Sequence, residues 1–335
     1  NGSSITFMPD PLSGLRPSVA PPLSSTAAFR VMNASVNIQG IFVSPSVDVA
    51  YGVYVSSPYV AISSVVVSTG SGTARIWESA IRLGSWNRVS YSSVSVGEAH
   101  GFHFSAGSTG TLVSYSTAAV GASGKYALYM TGADSNTVTR SYLWNSEGMG
   151  ARLESGADFN TISLSTMISN ASGSSALYIA GADTNTVTSS YLWSPSGNAA
   201  QIQTGAEYNT ISQSTMVSND VSYRALYLSG GDWNTVTGGY MTNPAGAGVR
   251  IDGGADKNTI TLSTMISNAG ASSALHIVGA ATNTISQSYV FNSAGDAASF
   301  ETEASSNTID RSTVAVSASG ARAVRISDAD RNIIV

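Results

Sequence analysis

The chain has 335 residues, and only 10% of them are charged, against about a quarter in an average soluble protein. The net charge is −5 and no basic block occurs, so a nucleic-acid partner is not expected. Cysteine is absent, which excludes disulfides and thiolate metal sites, and no apolar run approaches the ~20 residues of a transmembrane helix. The polar, charge-poor composition favours an extracellular or cell-surface location.

Residues 1–30 are rich in proline and lack the pattern of the rest of the chain. The prolines are Pro9, Pro11, Pro17, Pro21 and Pro22. We predict an extended N-terminal arm that adds as a strand to a neighbouring copy. Residues 31–85 follow as irregular first coils, in which Val36, Ile62 and Val89 lie about one turn apart.

An asparagine recurs through residues 86–335 at nearly constant spacing. Its positions are Asn136, Asn160, Asn185, Asn209, Asn234, Asn258, Asn283, Asn307 and Asn332. The intervals alternate between 24 and 25 residues, so the full unit is a 49-residue block of two turns. A fixed short period indicates a repeat architecture. Because asparagine tolerates left-handed backbone and its amide bonds backbone groups, we interpret this column as a structural ladder.

Each turn holds three short strand-like pieces between Ser, Asn, Gly and Pro clusters, without helical periodicity. This pattern predicts a coil of parallel strands whose turns stack about 4.8 Å apart. The segments 160–163 and 209–212 both read Asn-Thr-Ile-Ser, and with them the chain resembles the right-handed parallel β-helix repeat family. The resemblance implies an all-β, right-handed, single-stranded parallel β-helix (β-solenoid) of about 12 coils. That family includes pectin and alginate enzymes, phage tailspikes and bacterial adhesins.

Three apolar columns are predicted to point inward and to form a core that no single turn builds alone. The first is Val138, Ile162, Val187, Ile211, Val236, Ile260, Ile285 and Ile309. The second is Leu143, Met167, Leu192, Met216, Met241, Met265, Val290 and Val314. The third is Leu153, Ile202, Ile251 and Phe300.

Ionisable residues are densest in the less regular coils. They are Arg75, Glu78, Arg82, Arg88, Glu98, His100 and His103. Glu98 and His100 are weak candidates for acid/base chemistry, together with His103, Arg82 and Glu78. The motifs of enzymes with this fold, such as Asp-Pro-His-Asp of alginate epimerases, are missing. The sequence therefore favours a non-enzymatic protein without cofactor or metal ion.

Aromatic residues flank the second column once in every two turns and are predicted to face outward. The predicted binding or assembly face is Tyr142, Trp144, Tyr191, Trp193, Tyr240, Tyr289 and Phe291. Lateral packing against another chain and stacking of sugar rings both suit this stripe. A stripe covered by a loop, or turned inward, is the third alternative.

In alternate turns the sequence does not determine which side chains of the third strand point outward. Counting back from the ladder asparagine predicts that Leu177 and Ile179 point outward. A register shifted by one residue predicts instead that Tyr178 points outward.

Two further columns are interpreted as structural. Threonines such as Thr137 and Thr139 resemble the faces of antifreeze solenoids but are also good strand residues. Acidic residues such as Asp158, which precede the ladder, are expected to cap turns rather than to bind calcium.

The chain stops within a core-forming strand that no capping element follows, at Ile333–Val335. This favours head-to-tail stacking of copies, or a piece of a longer chain. The leading hypothesis is an extracellular structural or adhesive solenoid that assembles head-to-tail or laterally into a fibre, sheath or appendage. The alternative is a carbohydrate-binding or polysaccharide-degrading β-helix, and ice binding is a minor alternative.

Overall fold

The computed structural model describes residues 5–8, 18–19, 21, 25–69 and 74–335. The chain divides into two compact units, Asn1–Thr166 (unit 1) and Met167–Val335 (unit 2). Both consist of coils of three short strands, and each strand of a coil belongs to one of three parallel sheets. The described residues form about 13 turns and no helix, which confirms the predicted right-handed parallel β-solenoid with three strands per coil.

The strands of unit 1 are grouped here by sheet. Sheet 1 contains Ile5–Phe7, Val36–Gln39, Ala61–Ser63, Arg88–Ser90, Leu112–Ser114, Thr137–Thr139 and Thr161–Ser163. Sheet 2 contains Ser18–Val19, Phe42–Val43, Val66–Ser68, Ser93–Val96, Thr117–Val120 and Tyr142–Asn145. Sheet 3 contains Ala27–Val31, Val49–Val55, Ile76–Leu83, His100–Phe104, Tyr126–Thr131 and Met149–Glu154.

The strands of unit 2 follow the same order. Sheet 1 contains Thr186–Thr188, Thr210–Ser212, Thr235–Thr237, Thr259–Thr261, Thr284–Ser286, Thr308–Asp310 and Ile333–Ile334. Sheet 2 contains Thr166–Ser169, which starts at the division, and then Tyr191–Ser194, Thr215–Ser218, Tyr240–Asn243, Thr264–Ser267, Tyr289–Asn292 and Thr313–Val316. Sheet 3 contains Leu177–Ala180, Ala200–Gln203, Arg224–Ser229, Ala247–Asp252, Leu275–Val278, Ala298–Glu301 and Val324–Ser327.

Part of the predicted N-terminal arm lies within the coils. Ile5–Phe7 pairs with the strand at Val36, and Ser18–Val19 pairs with Phe42–Val43. Residues 1–4, 9–17, 20 and 22–24 of the arm lie outside the described residues. Among the residues that the structure describes, none forms a helix of the length and apolarity that crossing a membrane requires.

The three predicted apolar columns form the core of each unit. Their members are buried, apart from Val314 in the last coil, which is half-buried. Strands stack in register, so that Val138 lies beside Ile162 in unit 1 and Ile211 beside Val236 in unit 2. Stacking like side chains in this way removes a continuous apolar surface from water.

The asparagine ladder is a chain of side-chain-to-backbone hydrogen bonds, as predicted. In unit 1 the Asn136 backbone N–H donates to Asn160 Oδ1 at 2.9 Å. In unit 2 the same bond joins Asn209 to Asn234 at 2.8 Å. Most of the amide groups then donate to a backbone carbonyl, as Asn209 Nδ2 does to Ala182 O at 2.9 Å, whereas Asn283 Nδ2 donates to Asn307 Oδ1 at 3.0 Å. The ladder therefore satisfies buried groups at the corner before sheet 1.

A serine ladder that we did not predict occupies the corner before sheet 2. In unit 1 the Ser116 backbone N–H donates to Ser141 Oγ at 3.3 Å, and in unit 2 the Ser190 N–H donates to Ser214 Oγ at 3.1 Å. A serine five residues after most ladder asparagines was the available signal. The acidic residues hold the turn at the same corner as the asparagine ladder, as predicted, since Asp134 Oδ1 accepts from the Asp158 N–H at 3.0 Å.

The structure shows which side chains of sheet 3 point outward, a question that counting residues back from the ladder asparagine left open. Leu177 and Ile179 are buried, whereas Tyr178 lies on the outer face. Counting back from the ladder was therefore wrong. The reason is that Leu153 precedes its ladder asparagine by seven residues and Ile179 precedes its own by six. The longer corner contains Ser155 and Gly156, both with positive φ, so the parity of the count changes between alternate turns.

Candidate functional site

The outer face of sheet 3 carries a column of rings and polar side chains, one from each coil. We call it the sheet 3 column. In unit 1 its paired positions are Arg30, Tyr54, Arg82, His103, Tyr129 and Arg152. In unit 2 they are Tyr178, Gln201, Tyr227, Arg250, His276, Ser299 and Arg325. Because neighbouring strands are about 4.8 Å apart, each unit presents closely spaced rings and hydrogen-bonding groups.

Two buried histidines lie at the centre of the unit 1 column. The ring centroids of His100 and His103 are 5.5 Å apart, and the Tyr129 ring stacks on His100 at 4.6 Å. His103 Nδ1 lies 2.7 Å from the Ser79 hydroxyl, while its Nε2 is buried without a hydrogen-bond partner among the described residues. His100 Nδ1 accepts from the Tyr126 backbone N–H at 3.1 Å.

Both histidines are neutral at pH 7. Burial lowers the pKa of His103 to about 3, with the charges of Arg82 and Lys125 acting in the same direction. Burial also lowers the pKa of His100 to about 3, helped by His103, Lys125 and Arg152. A neutral imidazole with a free nitrogen is able to accept a proton or a hydrogen bond from a ligand.

A tyrosine, a carboxylate and an arginine form a polar triad beside the histidines. The Tyr129 hydroxyl donates to Glu154 Oε1 at 2.6 Å, and Arg152 Nε donates to Glu154 Oε2 at 2.7 Å. Burial, followed by the hydrogen bond and charge of Glu154, raises the pKa of Tyr129 to about 12. The triad recurs in unit 2, where Tyr227 and Arg250 both bond Asp252.

The predicted catalytic candidates are only partly brought together. His100, His103 and Arg82 share the outer face of sheet 3, and Arg82 bonds Ser105 Oγ at 2.9 Å. Glu98 is instead exposed and pairs with Arg75 at 3.2 Å. Glu78 lies half-buried near the start of a sheet 3 strand, whereas the neighbouring Arg88 is exposed in sheet 1. Sequence proximity of Glu98 and His100 therefore does not produce an acid/base pair.

A polar cleft of about 650 Å³ opens beside the unit 2 column. Arg224, Arg250, His276, Glu301 and Arg325 line it, together with backbone and small residues of the adjoining loops. Three ion pairs cross this region: Arg250 with Asp252 at 2.6 Å, Arg325 with Glu301 at 3.4 Å, and Arg322 with Asp296 at 4.0 Å. None of these lining residues was predicted as a site. The aligned third-strand residues were the available signal.

His276 and Glu301 are neighbours within the cleft. His276 Nε2 lies 3.3 Å from Glu301 Oε2, but the two groups are not aligned for a hydrogen bond, so Nε2 has no such partner among the described residues. Burial and then the charge of Arg250 lower the pKa of His276, although Glu301 opposes them. The hydrogen bond from Ser299 lowers the pKa of Glu301. The pair therefore contains a neutral imidazole and an ionised carboxylate at pH 7.

The predicted aromatic stripe lies on the outer face of sheet 2. Tyr142, Tyr191, Tyr240 and Tyr289 are 39–42% exposed. Trp144, Trp193 and Phe291 are half-buried beside them. The tyrosines therefore face solvent as expected, and their binding or assembly role remains a prediction.

Exposed aromatic residues also occupy corners where we did not predict them. In unit 1 the rings of Tyr91 and Tyr115 stack at 5.0 Å, and Arg140 lies over Tyr115 at 5.4 Å. In unit 2 Tyr208 and Trp233 stack at 6.1 Å, and the Lys257 ammonium lies over Trp233 at 4.7 Å. All six have positive φ, a conformation that costs non-glycine residues about 1 kcal/mol or more. Large exposed side chains in this unfavourable conformation therefore indicate candidate binding surfaces.

Two protein-family models match the chain. The model described as "Periplasmic copper-binding protein (NosD)" matches residues 32–247, and that described as "Right handed beta helix region" matches residues 175–335. No curated protein matches the sequence at a significant level.

Solved structures with the same fold are very different in sequence. One is the A-module of the mannuronan C-5 epimerase AlgE6 from Azotobacter vinelandii, with TM-score 0.58, 9% identity, and coverage of 100% of this chain and 91% of that chain. Another is the Dettilon tailspike protein (gp208), with TM-score 0.56, 12% identity, and coverage of 96% of this chain and 61% of that chain. At these identities the likeness concerns the fold alone.

Proposed function

Since the chain belongs to the NosD family of right-handed β-helix proteins, we propose that it is a carbohydrate-binding protein outside the cytoplasm, in the periplasm or at the cell surface. In this proposal a polysaccharide lies along the outer face of sheet 3. The observation that carries the proposal is the sheet 3 column, in which rings lie among arginine, glutamine and serine and, in unit 2, alternate with them. Sugars present apolar faces and hydroxyl edges, and this combination of groups complements both.

The spacing within unit 2 supports a chain-like ligand. Tyr178, Tyr227 and His276 recur every second coil in matched positions of sheet 3. Two coils rise about 9.6 Å, which is comparable to the repeat of a disaccharide. Each ring therefore meets an equivalent sugar along an extended polysaccharide.

The half-buried state of these rings supports binding as well. The Tyr178 hydroxyl bonds Gln203, and the Tyr227 hydroxyl bonds Asp252 at 3.1 Å. These bonds hold the rings in place before a ligand arrives, which reduces the entropy lost on binding. The mannuronan epimerase among the similar structures provides a precedent for a polysaccharide ligand on this fold.

Affinity electrophoresis against a panel of polysaccharides tests the proposal. We expect at least one polysaccharide to retard the protein, and Tyr178→Ala and Tyr227→Ala each to weaken binding about tenfold, or ~1.4 kcal/mol. Tyr191→Ala on sheet 2 is the matched control and should leave binding unchanged. Failure to bind any member of a broad panel, or a loss confined to Tyr191→Ala, would contradict the proposal.

The residues of this chain do not fit the copper ion in the family name. Cysteine is absent, and the described residues contain no group of three or more His, Cys, Asp or Glu side chains that could hold a metal ion. His100 and His103 adjoin, but the positive charges of Arg82, Lys125 and Arg152 act on them. Positive surroundings disfavour a cation. No copper-dependent step is therefore derived.

Lateral assembly is a second candidate function, favoured by the repeated exposure of the sheet 2 tyrosines. Exposed aromatic residues that recur at regular spacing suit packing against a second copy. We expect sedimentation to show concentration-dependent association that Tyr191→Ala and Tyr240→Ala weaken together. Strictly monomeric protein at all concentrations would exclude this candidate.

A further inference from the structure

The unit 2 cleft and the residues beside it contain one arginine more than their ion pairs use. Arg250, Arg322 and Arg325 each pair with a carboxylate, on Asp252, Asp296 and Glu301 respectively. Among the described residues, Arg224 is within ion-pair distance of no carboxylate. The local balance is therefore four arginines against three carboxylates.

Arg224 is held in position for a ligand. Its guanidinium donates to Ser222 O and lies 5.5 Å from the centre of the Tyr227 ring. These contacts fix the side chain without neutralising its charge. Because a guanidinium carries five N–H groups, several donors remain for a planar anion.

The surroundings of Arg224 favour an added negative charge. Burial and then the positive charge of Arg250 lower the pKa of Arg224, although Tyr227, Asp252 and Tyr223 act in the opposite direction. Two nearby like charges repel each other, so an anion that contacts both relieves the repulsion. His276 adds no positive charge that would compete with Arg224 for that anion, since burial and the charge of Arg250 lower its pKa.

We propose that this cleft binds a sugar residue carrying a single negative charge, the carboxylate of a uronic acid, through Arg224 beside Arg250. The inference rests on the proposed carbohydrate function and specifies its substrate class. One unpaired arginine matches one negative charge, and a planar carboxylate accepts two parallel N–H groups from a guanidinium. The neighbouring Tyr227 and His276 rings then contact the sugar bearing the carboxylate, or the next one.

Among the described residues, Arg82 of unit 1 also pairs with no carboxylate, but its donors are taken by neighbouring side chains and it does not line the cleft. Arg152 pairs with Glu154, and Arg82 bonds the Tyr51 hydroxyl and Ser105 while lying 5.2 Å from the Tyr51 ring centre. Those arginines are committed to neighbouring side chains. The charge requirement is thus assigned to unit 2, whereas ring contacts occur in both units.

Calorimetry with three matched oligosaccharides tests the inference. They are an oligouronate, a neutral oligosaccharide of equal length and linkage, and its sulfated derivative. We expect the oligouronate to bind at least tenfold more tightly than the neutral compound, and its affinity to fall as salt is raised, because salt screens charge pairs. Arg224→Gln should remove at least tenfold of the oligouronate affinity and change the affinity for the neutral compound much less.

Two controls separate a local effect from misfolding. Arg140→Gln removes an exposed arginine of unit 1 and should change oligouronate affinity less than twofold. Arg325→Gln, which removes the most exposed arginine lining the cleft, should weaken oligouronate binding less than Arg224→Gln does, because Glu301 already pairs with it. Thermal unfolding of each variant confirms that it is folded.

The outcomes distinguish this inference from the function on which it rests. Equal binding of neutral and uronate compounds, or an unchanged affinity in Arg224→Gln, overturns the acidic-sugar assignment and leaves carbohydrate binding intact. Tighter binding of the sulfated compound overturns the carboxylate assignment. Absence of binding to every compound contradicts both proposals.

Discussion

At the scale of single residues, the burial of His100 and His103 makes the stability of the protein depend on pH. Neither has a carboxylate hydrogen-bond partner among the described residues, and burial lowers the pKa of both to about 3. Their unfolded-state pKa is near 6.5. Above pH 6.5 both states are neutral, so these groups contribute no pH dependence there. Between pH 6.5 and 3 the unfolded chain binds protons that the folded chain does not, so acid favours unfolding.

The acid sensitivity of unit 1 should therefore decrease in His103→Gln. We expect the free energy of unfolding of the unaltered protein to fall between pH 6.5 and 4, by up to about 1.4 kcal/mol per pH unit for each histidine. The variant should lose less over the same interval, whatever its stability at pH 7. Urea unfolding at several pH values measures the slope of the unfolding free energy against pH for each protein. Identical slopes would show that the His103 ring is not buried in its neutral form.

At the scale of the element, the ladder shows how a corner is held. Asn209 Oδ1 accepts from the Asn185 backbone N–H at 2.9 Å and from Asn185 Nδ2 at 3.1 Å. In unit 1 the equivalent position is Thr111, whose hydroxyl accepts from the Asn87 N–H at 3.0 Å and donates to Gly84 O. A threonine thus reproduces two bonds of the ladder asparagine at the same corner.

Two substitutions at Asn209 should separate these bonds from side-chain size. Asn209→Ala removes the hydrogen bonds that Asn209 makes to the buried Asn185 N–H and to the Ala182 carbonyl, and each such loss costs about 1–3 kcal/mol. We expect a loss of at least ~2 kcal/mol in the free energy of unfolding. Asn209→Thr should lose clearly less, following Thr111. Equal losses in the two variants, measured by chemical unfolding, would mean that the hydrogen bonds are not what stabilises the corner.

A second set of asparagines, which the sequence analysis missed, holds the loop between sheets 2 and 3. In unit 1 Asn145 Oδ1 accepts from the Gly148 N–H at 2.9 Å, and in unit 2 Asn243 Oδ1 accepts from the Gly246 N–H at 3.0 Å. Cβ atoms at Gly148 and Gly246 would lie 2.5 and 2.6 Å from backbone carbonyl oxygens of the preceding loop. Asn145, Asn243 and Asn292 lie on the 49-residue period rather than the ladder spacing, and Ser194 occupies the remaining position of this set.

At the scale of the whole molecule, alternate turns differ and the 49-residue block is the repeating unit. Turns with the shorter loop between sheets 2 and 3 carry residues such as Gln201 and Arg250 in the sheet 3 column. The intervening turns carry Tyr178, Tyr227 and His276. Each coil contacts its neighbours, so stability is close to a sum of local terms. Removing one complete block should therefore preserve every remaining type of contact.

Two deletions within unit 2 test this modularity. Deleting residues 209–257 removes one block and should leave a folded protein whose urea m-value falls by about a seventh, as the m-value scales with the surface exposed on unfolding. Deleting residues 209–233 removes a single turn and places two turns of the same type in contact, so we expect a lower melting temperature than for the longer deletion. Circular dichroism melts compare them, and a more stable single-turn deletion would contradict the 49-residue unit.

The amino-acid sequence by itself determined the repeat, the ladder and the inward columns. Each depends on a local period that one residue type marks in nearly every turn, as Asn209 and Ile211 do, and the backbone of a parallel solenoid repeats with the same period. The outward direction of the sheet 2 tyrosines followed too, because Tyr191 is adjacent to the inward Leu192 in one short strand.

Only the tertiary structure decided the outer face of sheet 3 and the composition of the cleft. Corners of unequal length precede successive ladder asparagines, so the parity that turns Tyr178 outward depends on left-handed residues such as Gly156 that counting does not detect. Arg224, Arg250 and Arg325 come from separate turns, and which of them lacks a carboxylate depends on side-chain distances across those turns. The repeat period is present in the sequence itself, whereas the charge balance of the cleft depends on how the coils pack.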